Sequence, residues 1–193
     1  MSPIIIGVTG LPSSGKGVFG EIAKEFGFKE IIMGDVVRNE CKIRGLPVNR
    51  ESSNKVMMDL RRERGENAVA IITLEWIHQA IEQGNKLILV DGIRSLAEVR
   101  TIRKQYPEFL IIAIHSDQKT RIQRAMVRKR IDDAFTINEF MKRDTIELNL
   151  GIGDVIATSN ILVSSRGTLE NTRTIIHEFL TDFLQEKEME IEI

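Results

Sequence analysis

The stretch that most constrains this chain runs from Ile4 to Val18, Ile4-Ile5-Ile6-Gly7-Val8-Thr9-Gly10-Leu11-Pro12-Ser13-Ser14-Gly15-Lys16-Gly17-Val18. Ile4 to Val8 is an apolar, largely β-branched run, the pattern of a strand buried on both faces. It gives way to Gly10-x-x-x-x-Gly15-Lys16 and then to a helical pattern, the layout of a phosphate-binding P-loop. The chemistry asks for these residue types. Glycines let the backbone turn tightly enough for successive N–H groups to point at phosphate oxygens. The following helix adds free N–H groups and the positive end of its dipole, and Lys16 supplies a mobile positive charge. A Gly-rich turn is the plainer reading, but the strand before it and the helix after it favour a P-loop. Gly17 stands where the general motif has a Ser or Thr for magnesium.

The rest of the chain alternates in the same way. Val18, Phe19, Ile22, Ala23 and Phe26 form a helical apolar face, closed by Gly27. Strand-like segments recur at 29–33, 87–90, 109–115 and 161–164. Helical patterns lie between them, over about 34–44, 51–64, 68–83, 95–105, 117–130, 137–148 and 169–185. Ser95 and Glu98 have capping-box spacing. Gly151-Ile152-Gly153 reads as a loop, and Glu186 to Ile193 as an acidic, fraying tail. Five strands separated by helices predict a parallel sheet with helices on both faces, joined by right-handed crossovers. At 193 residues the chain suits one α/β core with excursions. Ligands of such sheets bind outside the carboxyl ends of the strands. The loops in question are the P-loop, Gly34-Asp35, Asp91 to Arg94, and the segment after His115.

Composition narrows the class. A formal net charge of −1 gives no global basic field to draw nucleic acid or a membrane surface. No apolar run approaches the roughly 20 residues of a membrane span. The chain enters strand directly, so no signal peptide is expected. Cys41 is the only cysteine, which excludes an internal disulfide and fits a reducing, cytoplasmic setting. His78, His115 and His177 are scattered and read as structural or surface residues rather than a metal site. Met57, Met58 and Trp76 read as core fillers.

Two components then carry chemistry. Leu87-Ile88-Leu89-Val90-Asp91 is an apolar run ending in a carboxylate. After a P-loop that is where an Asp holds magnesium or its waters, although Asp-Gly is also a common turn pair. Phosphoryl transfer further needs charge neutralisation on donor, acceptor and transferred group, and arginines are placed to provide it. Arg38 lies one helical turn after Asp35, and Arg94 lies three residues after Asp91. Arg121, Arg124 and Arg128 share a helix face, with Arg130 just beyond, and Arg143 follows Asp132-Asp133. Solvated helix faces account for Arg61, Arg62 and Arg103. They account poorly for Arg38 and Arg94, which sit just past strand ends.

Taken in order, four motifs resemble the nucleoside monophosphate kinases of the adenylate kinase type over about residues 4–170. They are Gly10-x-x-x-x-Gly15-Lys16-Gly17, Gly34-Asp35-Val36-Val37-Arg38, Asp91-Gly92-Ile93-Arg94, and Arg124-x3-Arg128-x-Arg130-Ile131-Asp132-Asp133. More closely, the chain resembles an archaeal P-loop kinase family related to adenylate kinases and to dephospho-CoA kinases. The resemblance implies one P-loop kinase domain over 1–193, with its core at 1–34, 84–128 and 150–185. It also implies a small helical acceptor-binding excursion at about 35–66 and a short lid at about 128–148. ATP and Mg2+ are the implied cofactors, and a small-molecule nucleotide the implied partner.

The resemblance also implies roles. Gly10, Leu11, Pro12, Ser13, Ser14, Gly15, Lys16, Gly17 and Val18 would cradle the donor phosphates. Arg124 would lie near the donor base, which Gly167 and Thr168 would pass by backbone contact. Gly34, Asp35, Arg38, Arg94 and Glu98 would bind the acceptor, and Asp91 with Asp35 would order magnesium through water. Lys16, Asp91, Arg94, Arg128, Arg130 and Arg143 would be the catalytic set. In three places the chain departs from that family's pattern. Val18 replaces the Thr after Gly-Lys-Gly, the lid is short, and Asp-Gly-Ile-Arg lacks the Pro. Glu98 lies near the position of a base-reading Gln, so AMP is not assured as acceptor, and the capping-box reading of Glu98 is slightly favoured.

The leading expectation is transfer of the γ-phosphoryl of ATP to a nucleotide-like acceptor, a nucleoside monophosphate first. A dephospho-CoA kinase is the alternative enzyme. A regulatory or RNA-associated ATPase switch is the alternative of another class, with the basic helix from Arg121 to Arg130 meeting RNA. A GTPase is disfavoured, because Asn54-Lys55 and Asn85-Lys86 both lack the Asp of a guanine-reading motif.

Overall fold

Alternate residues along the central strands divide the core into two layers. In the computed structural model, which describes residues 2–128 and 136–191, five strands form one sheet: β1 (Ile4–Thr9), β2 (Lys29–Ile32), β3 (Leu87–Asp91), β4 (Leu110–His115) and β5 (Ile161–Ser164). Every pairing is parallel and the order is β2-β3-β1-β4-β5. Ile5, Ile88, Val90 and Ile111 point into one layer; Ile6, Val8, Leu89, Ile112 and Ile114 point into the other. Both faces are therefore apolar, which is why the strands read as unbroken hydrophobic runs.

Helices cover each face. α1 (Lys16–Glu25) and α9 (Leu169–Ile191) pack on the Ile6 side through Phe19, Ile22, Ile176 and Leu180. α2 (Met33–Ile43), α3 (Arg50–Arg64), α4 (Ala68–Glu82), α5 (Leu96–Gln105) and α8 (Ile152–Ala157) build on the Ile5 side. α6 (Gln118–Arg128) and α7 (Ile137–Asn149) pack together through Ile122, Ala125 and Phe140. The α/β class, the five parallel strands and the helices on both faces are as expected from the sequence.

Local chemistry explains two of the helix starts. Ser95 and Glu98 form the expected capping box at α5, and Thr136 with Glu139 forms an unforeseen one at α7. Two expectations need correction. The segment after Gly151 is not a loop: Gly151 is left-handed and caps the short helix α8, whose Ile152 and Val155 are buried. Helix α9 continues to Ile191 rather than ending near Gln185.

β1 carries a glycine in its middle because the space is taken. A Cβ on Gly7 would lie 2.5 Å from Ile93 Cδ1, 2.6 Å from Phe109 Cζ and 2.9 Å from Ile111 Cδ1. Gly7→Ala is therefore expected to overpack the Ile5-side core and cost about 1–3 kcal/mol. Chemical denaturation of the variant beside the parent measures it, and an unchanged midpoint would contradict the packing.

Candidate active site

The loop after β1 has a shape that only certain residues allow. Gly10 has φ 149° and Gly15 has φ 115°, a left-handed region that favours glycine. Their close neighbours exclude a side chain as well: a Cβ on Gly10 would lie 2.4 Å from Ile114 O, and one on Gly15 2.8 Å from Ser165 Oγ. Ser13 is also left-handed, at φ 62°, where a non-glycine residue stores backbone strain. Thr9 Oγ1 donates to Ile93 O at 2.7 Å, joining the start of this loop to the loop after β3.

Lys16 opens α1 and folds back over the loop, donating from Nζ to Gly10 O at 2.5 Å and to Leu11 O at 3.4 Å. Burial pushes its pKa down, opposed first by Asp91 and then by Glu147. Ser14 Oγ is buried beside it without a partner among the described residues. Gly17 is a different kind of glycine, since no neighbour lies within 4 Å of where its Cβ would be. Packing does not require glycine there. Val18 turns its side chain to the Ile6-side core, so its departure from Thr is a core contact.

Two arginines of α6 brace the loop from behind. Arg121 Nη1 donates to Pro12 O at 3.2 Å, and its Nε to Ser116 O at 3.3 Å. It also meets Asp144 of α7 in a bidentate pair of 2.7 and 2.5 Å, with both side chains almost wholly buried. Its guanidinium carbon lies 5.4 Å from the centre of the Phe140 ring, within cation–π range. Arg124 donates to Ser14 O at 3.2 Å, to Ser165 Oγ at 3.0 Å and to Ser165 O at 2.7 Å. Gly167 and Thr168 lie just after Ser165, and Thr168 Oγ1 accepts from Asn171 N near the start of α9.

The second half of the site opens beside the end of β3. A cavity of about 650 Å³ is lined by Gly34, Arg38, Arg94, Arg143 and Glu147, with Val37, Met57, Asn49 and Asn54 on its α2–α3 wall. That volume falls in the range of small-ligand sites. Arg94 Nε donates to Glu147 Oε2 at 2.8 Å. Arg38 Nε donates to Asp35 Oδ1 at 2.7 Å in a half-exposed pair. Burial pushes the Asp91 carboxyl up, against the opposing field of Lys16 and with Glu30 adding to the rise. Its Oδ1 is buried without a partner among the described residues. No group of three or more His, Cys, Asp and Glu that could hold a metal occurs among those residues. One orphaned carboxylate still suits magnesium, which keeps several waters and takes its other ligands from phosphates.

The structure thus brings Lys16, Asp91, Arg94, Arg143 and Glu147 into one electrostatic cluster. Arg38, paired with Asp35, lines the adjoining cavity. Arg124 is committed to the P-loop and Ser165. Glu98 does not reach the cavity: one oxygen accepts from Arg94 N at 2.7 Å and Ser95 N at 3.1 Å, and the other from Arg61 Nη2 at 2.6 Å. A buried carboxylate so engaged has no oxygen left for an acceptor base, and the capping-box reading holds. Arg61 is correspondingly no solvated residue, its side chain being 11% exposed. Arg103 is also anchored, to Phe109 O and Asn160. The side chain of Arg128 and all of Arg130, Asp132 and Asp133 lie outside the described residues.

Sequence reading missed Asp144 and Glu147. A signal for Asp144 existed, because it sits four residues after Phe140, on the inward face of α7, where a charge needs a partner. Glu147 carried no such signal.

Comparison with known proteins gives a consistent neighbourhood. An AAA domain matches residues 9–140. A UPF0200 protein of Methanothermobacter thermautotrophicus is 42% identical, over 88% of this chain and 85% of its own length. Another, of Thermococcus kodakarensis, is 38% identical over 94% and 98%. Among solved structures, TT1252 from Thermus thermophilus superposes with a TM-score of 0.67 at 16% identity, covering 94% of this chain and 98% of that one. The dephospho-CoA kinase from Campylobacter jejuni does so with a TM-score of 0.56 at 12% identity, covering 95% and 98%. The shikimate kinase from Acinetobacter baumannii, in complex with shikimate, gives 0.56 at 11%, covering 97% and 96%. At such identities the likeness is one of fold: the P-loop kinase fold.

Two outcomes follow from the buried charges. Asp144→Ala leaves the Arg121 guanidinium buried and uncompensated, and is expected to cost about 3–5 kcal/mol, read from denaturant midpoints. A loss below 1 kcal/mol would mean that the pair behaves as a surface bridge. Asp91 works in the other direction. Its folded-state pKa lies above the ordinary 3.8, so between those two values the folded chain holds a proton that the unfolded chain releases. Stability therefore falls as pH rises through that window. Asp91→Asn is expected to raise the Tm of the ligand-free protein at neutral pH and to flatten this pH dependence, and a lower Tm would contradict it.

Proposed function

Since this chain belongs to the UPF0200 proteins and matches an AAA domain over residues 9–140, we propose that it is an ATP- and magnesium-dependent phosphotransferase acting on a nucleotide-like acceptor, a nucleoside monophosphate first. The observation that carries this reading is the cavity beside the end of β3, lined by Arg38, Arg94 and Arg143. A water acceptor would need no second cationic wall.

In this reading the loop amides and Lys16 hold the donor phosphates, Lys16 exchanging the carbonyls of Gly10 and Leu11 for phosphate oxygens. Arg94 and Arg38 hold the acceptor phosphate in line with the donor. An acceptor oxygen forms the new bond to the γ-phosphorus while the bond to the β,γ-bridging oxygen breaks, leaving ADP. Asp91, through its unpartnered oxygen, would hold magnesium or its waters, and the ion would neutralise charge on the donor phosphates. Arg143, with Arg128 and Arg130, stabilises the transferring phosphoryl. α2 and α3 are assigned as the acceptor-binding excursion, and the segment from Arg128 through α7 as the lid. The adenylate kinase resemblance supports these roles by its motifs.

A dephospho-CoA kinase remains the second reading, favoured by one observation. Two of the cavity arginines, Arg38 and Arg94, come with their own carboxylates, Asp35 and Glu147, which would suit an acceptor that presents a hydroxyl. The RNA-associated switch is disfavoured, because Arg121 and Arg124 of the basic helix turn inward to the P-loop.

Incubating the protein with ATP-Mg and a panel of nucleoside monophosphates and dephospho-CoA, with product separation, tests the reading. Transfer to at least one is expected. Arg38→Ala should raise the acceptor KM about 10- to 100-fold, the loss of a hydrogen bond to a charged group, with the KM for ATP unchanged. ATP hydrolysis that ignores both the panel and this substitution would support a switch instead.

A further inference from the structure

We propose that Glu147 is a positioning residue for the acceptor clamp, a role that rests on the reading of the cavity as an acceptor site. It holds Arg94 by Nε, so that the terminal Nη pair faces the cavity as a preset fork for an anion. Arg94 Nε donates to Glu147 Oε2 at 2.8 Å, and no other side-chain hydrogen bond of Arg94 occurs among the described residues. Both residues line the cavity and are mostly buried. A guanidinium bound at Nε has its end-on pair of N–H groups free, and that pair matches two phosphate oxygens. The backbone N–H of Arg94 is fixed independently by Glu98, at 2.7 Å. Main chain and side chain of the clamp are thus pinned by two different carboxylates.

Glu147 is itself held in place from the donor side. It lies one helical turn beyond Asp144, whose bidentate bond to Arg121 fastens α7 to Pro12 of the P-loop. Arg143, four residues before Glu147 on the same helix, reaches the same cavity. The spacing from the P-loop to the acceptor fork is therefore set through Asp144, one turn of helix, and Glu147. Transfer in line depends on that spacing, because displacement of reacting groups by about 1 Å is worth on the order of 100-fold in rate.

The test uses Glu147→Gln and Glu147→Ala in the full chain. The Gln side-chain oxygen still accepts from Arg94 Nε, whereas Ala leaves the guanidinium loose. Titration with inorganic phosphate, followed by calorimetry on the ADP-loaded protein, is expected to give near-parental affinity for the Gln variant. For the Ala variant it should be weaker by about 10- to 100-fold. With a turned-over acceptor, the Ala variant should raise its KM by the same factor and leave the KM for ATP in place. Tighter phosphate binding by both variants would make Glu147 a competitor of the acceptor and overturn the proposal. So would a kcat collapse across the pH plateau in the Gln variant together with loss of the acidic limb of the profile, which would make it a general base. Equal losses for ATP and phosphate with a lowered Tm would reduce it to a fold contact, also overturning it. The phosphate titration needs no acceptor: if the parent protein transfers to nothing, the phosphotransferase reading fails while this comparison still decides the role of Glu147.

Discussion

The bidentate pair between Arg121 and Asp144 is the contact on which the site depends. A loop that aims its N–H groups at a phosphate must turn carbonyls outward, and buried carbonyls need donors. Arg121 serves Pro12 O and Arg124 serves Ser14 O. The shape of the P-loop is thereby tied to α6. Asp144 then carries the constraint to α7, whose Arg143 and Glu147 line the cavity beside the end of β3. One buried ion pair joins the two halves of the site. Its justification is geometric, since an apolar pair of equal volume is often as stable but could not donate to Pro12 O.

Charge alternates across the site. Lys16 lies in the field of Asp91 and Glu147, and Arg94 in that of Glu147 and Asp91. Arg38 is held by Asp35. Alternation offsets the mutual repulsion of these three cations. It also leaves specific groups unsatisfied. Asp91 Oδ1 and Ser14 Oγ are buried without partners, and such orphans cost stability unless a ligand meets them. Stability given up at the end of β3 and in the P-loop is of the kind commonly found at functional sites.

The fold was largely legible from the sequence. Runs such as Ile4 to Val8 and Leu87 to Val90 are apolar on both faces and short, which marks strands covered by helices on each side. Gly10, Gly15 and Lys16 were legible as a P-loop because their backbone requirement is local. Errors fell where tertiary contacts override local cues. Gly151-Ile152-Gly153 reads as a loop, yet Ile152 and Val155 are buried, Val155 in the Ile5-side core, and make a helix. Arg61 reads as a solvated helix-face charge, yet in the structure it meets the carboxylate of Glu98 at 2.6 Å.

What the amino-acid sequence determined alone is the phosphate cradle, the parallel sheet and the position of the charged residues past the strand ends. These follow from backbone geometry and hydrophobic period, both of which act over a few residues. What the tertiary structure decided is which charges work together. Arg121 meets Asp144 across 23 positions and Arg94 meets Glu147 across 53. Arg124 is drawn under the loop to Ser14, 110 positions away. Helix periodicity places an arginine on a face, but only the packing of α6 and α7 against the P-loop chooses its carboxylate. That choice separates a brace such as Arg121 from a cavity-lining arginine such as Arg94.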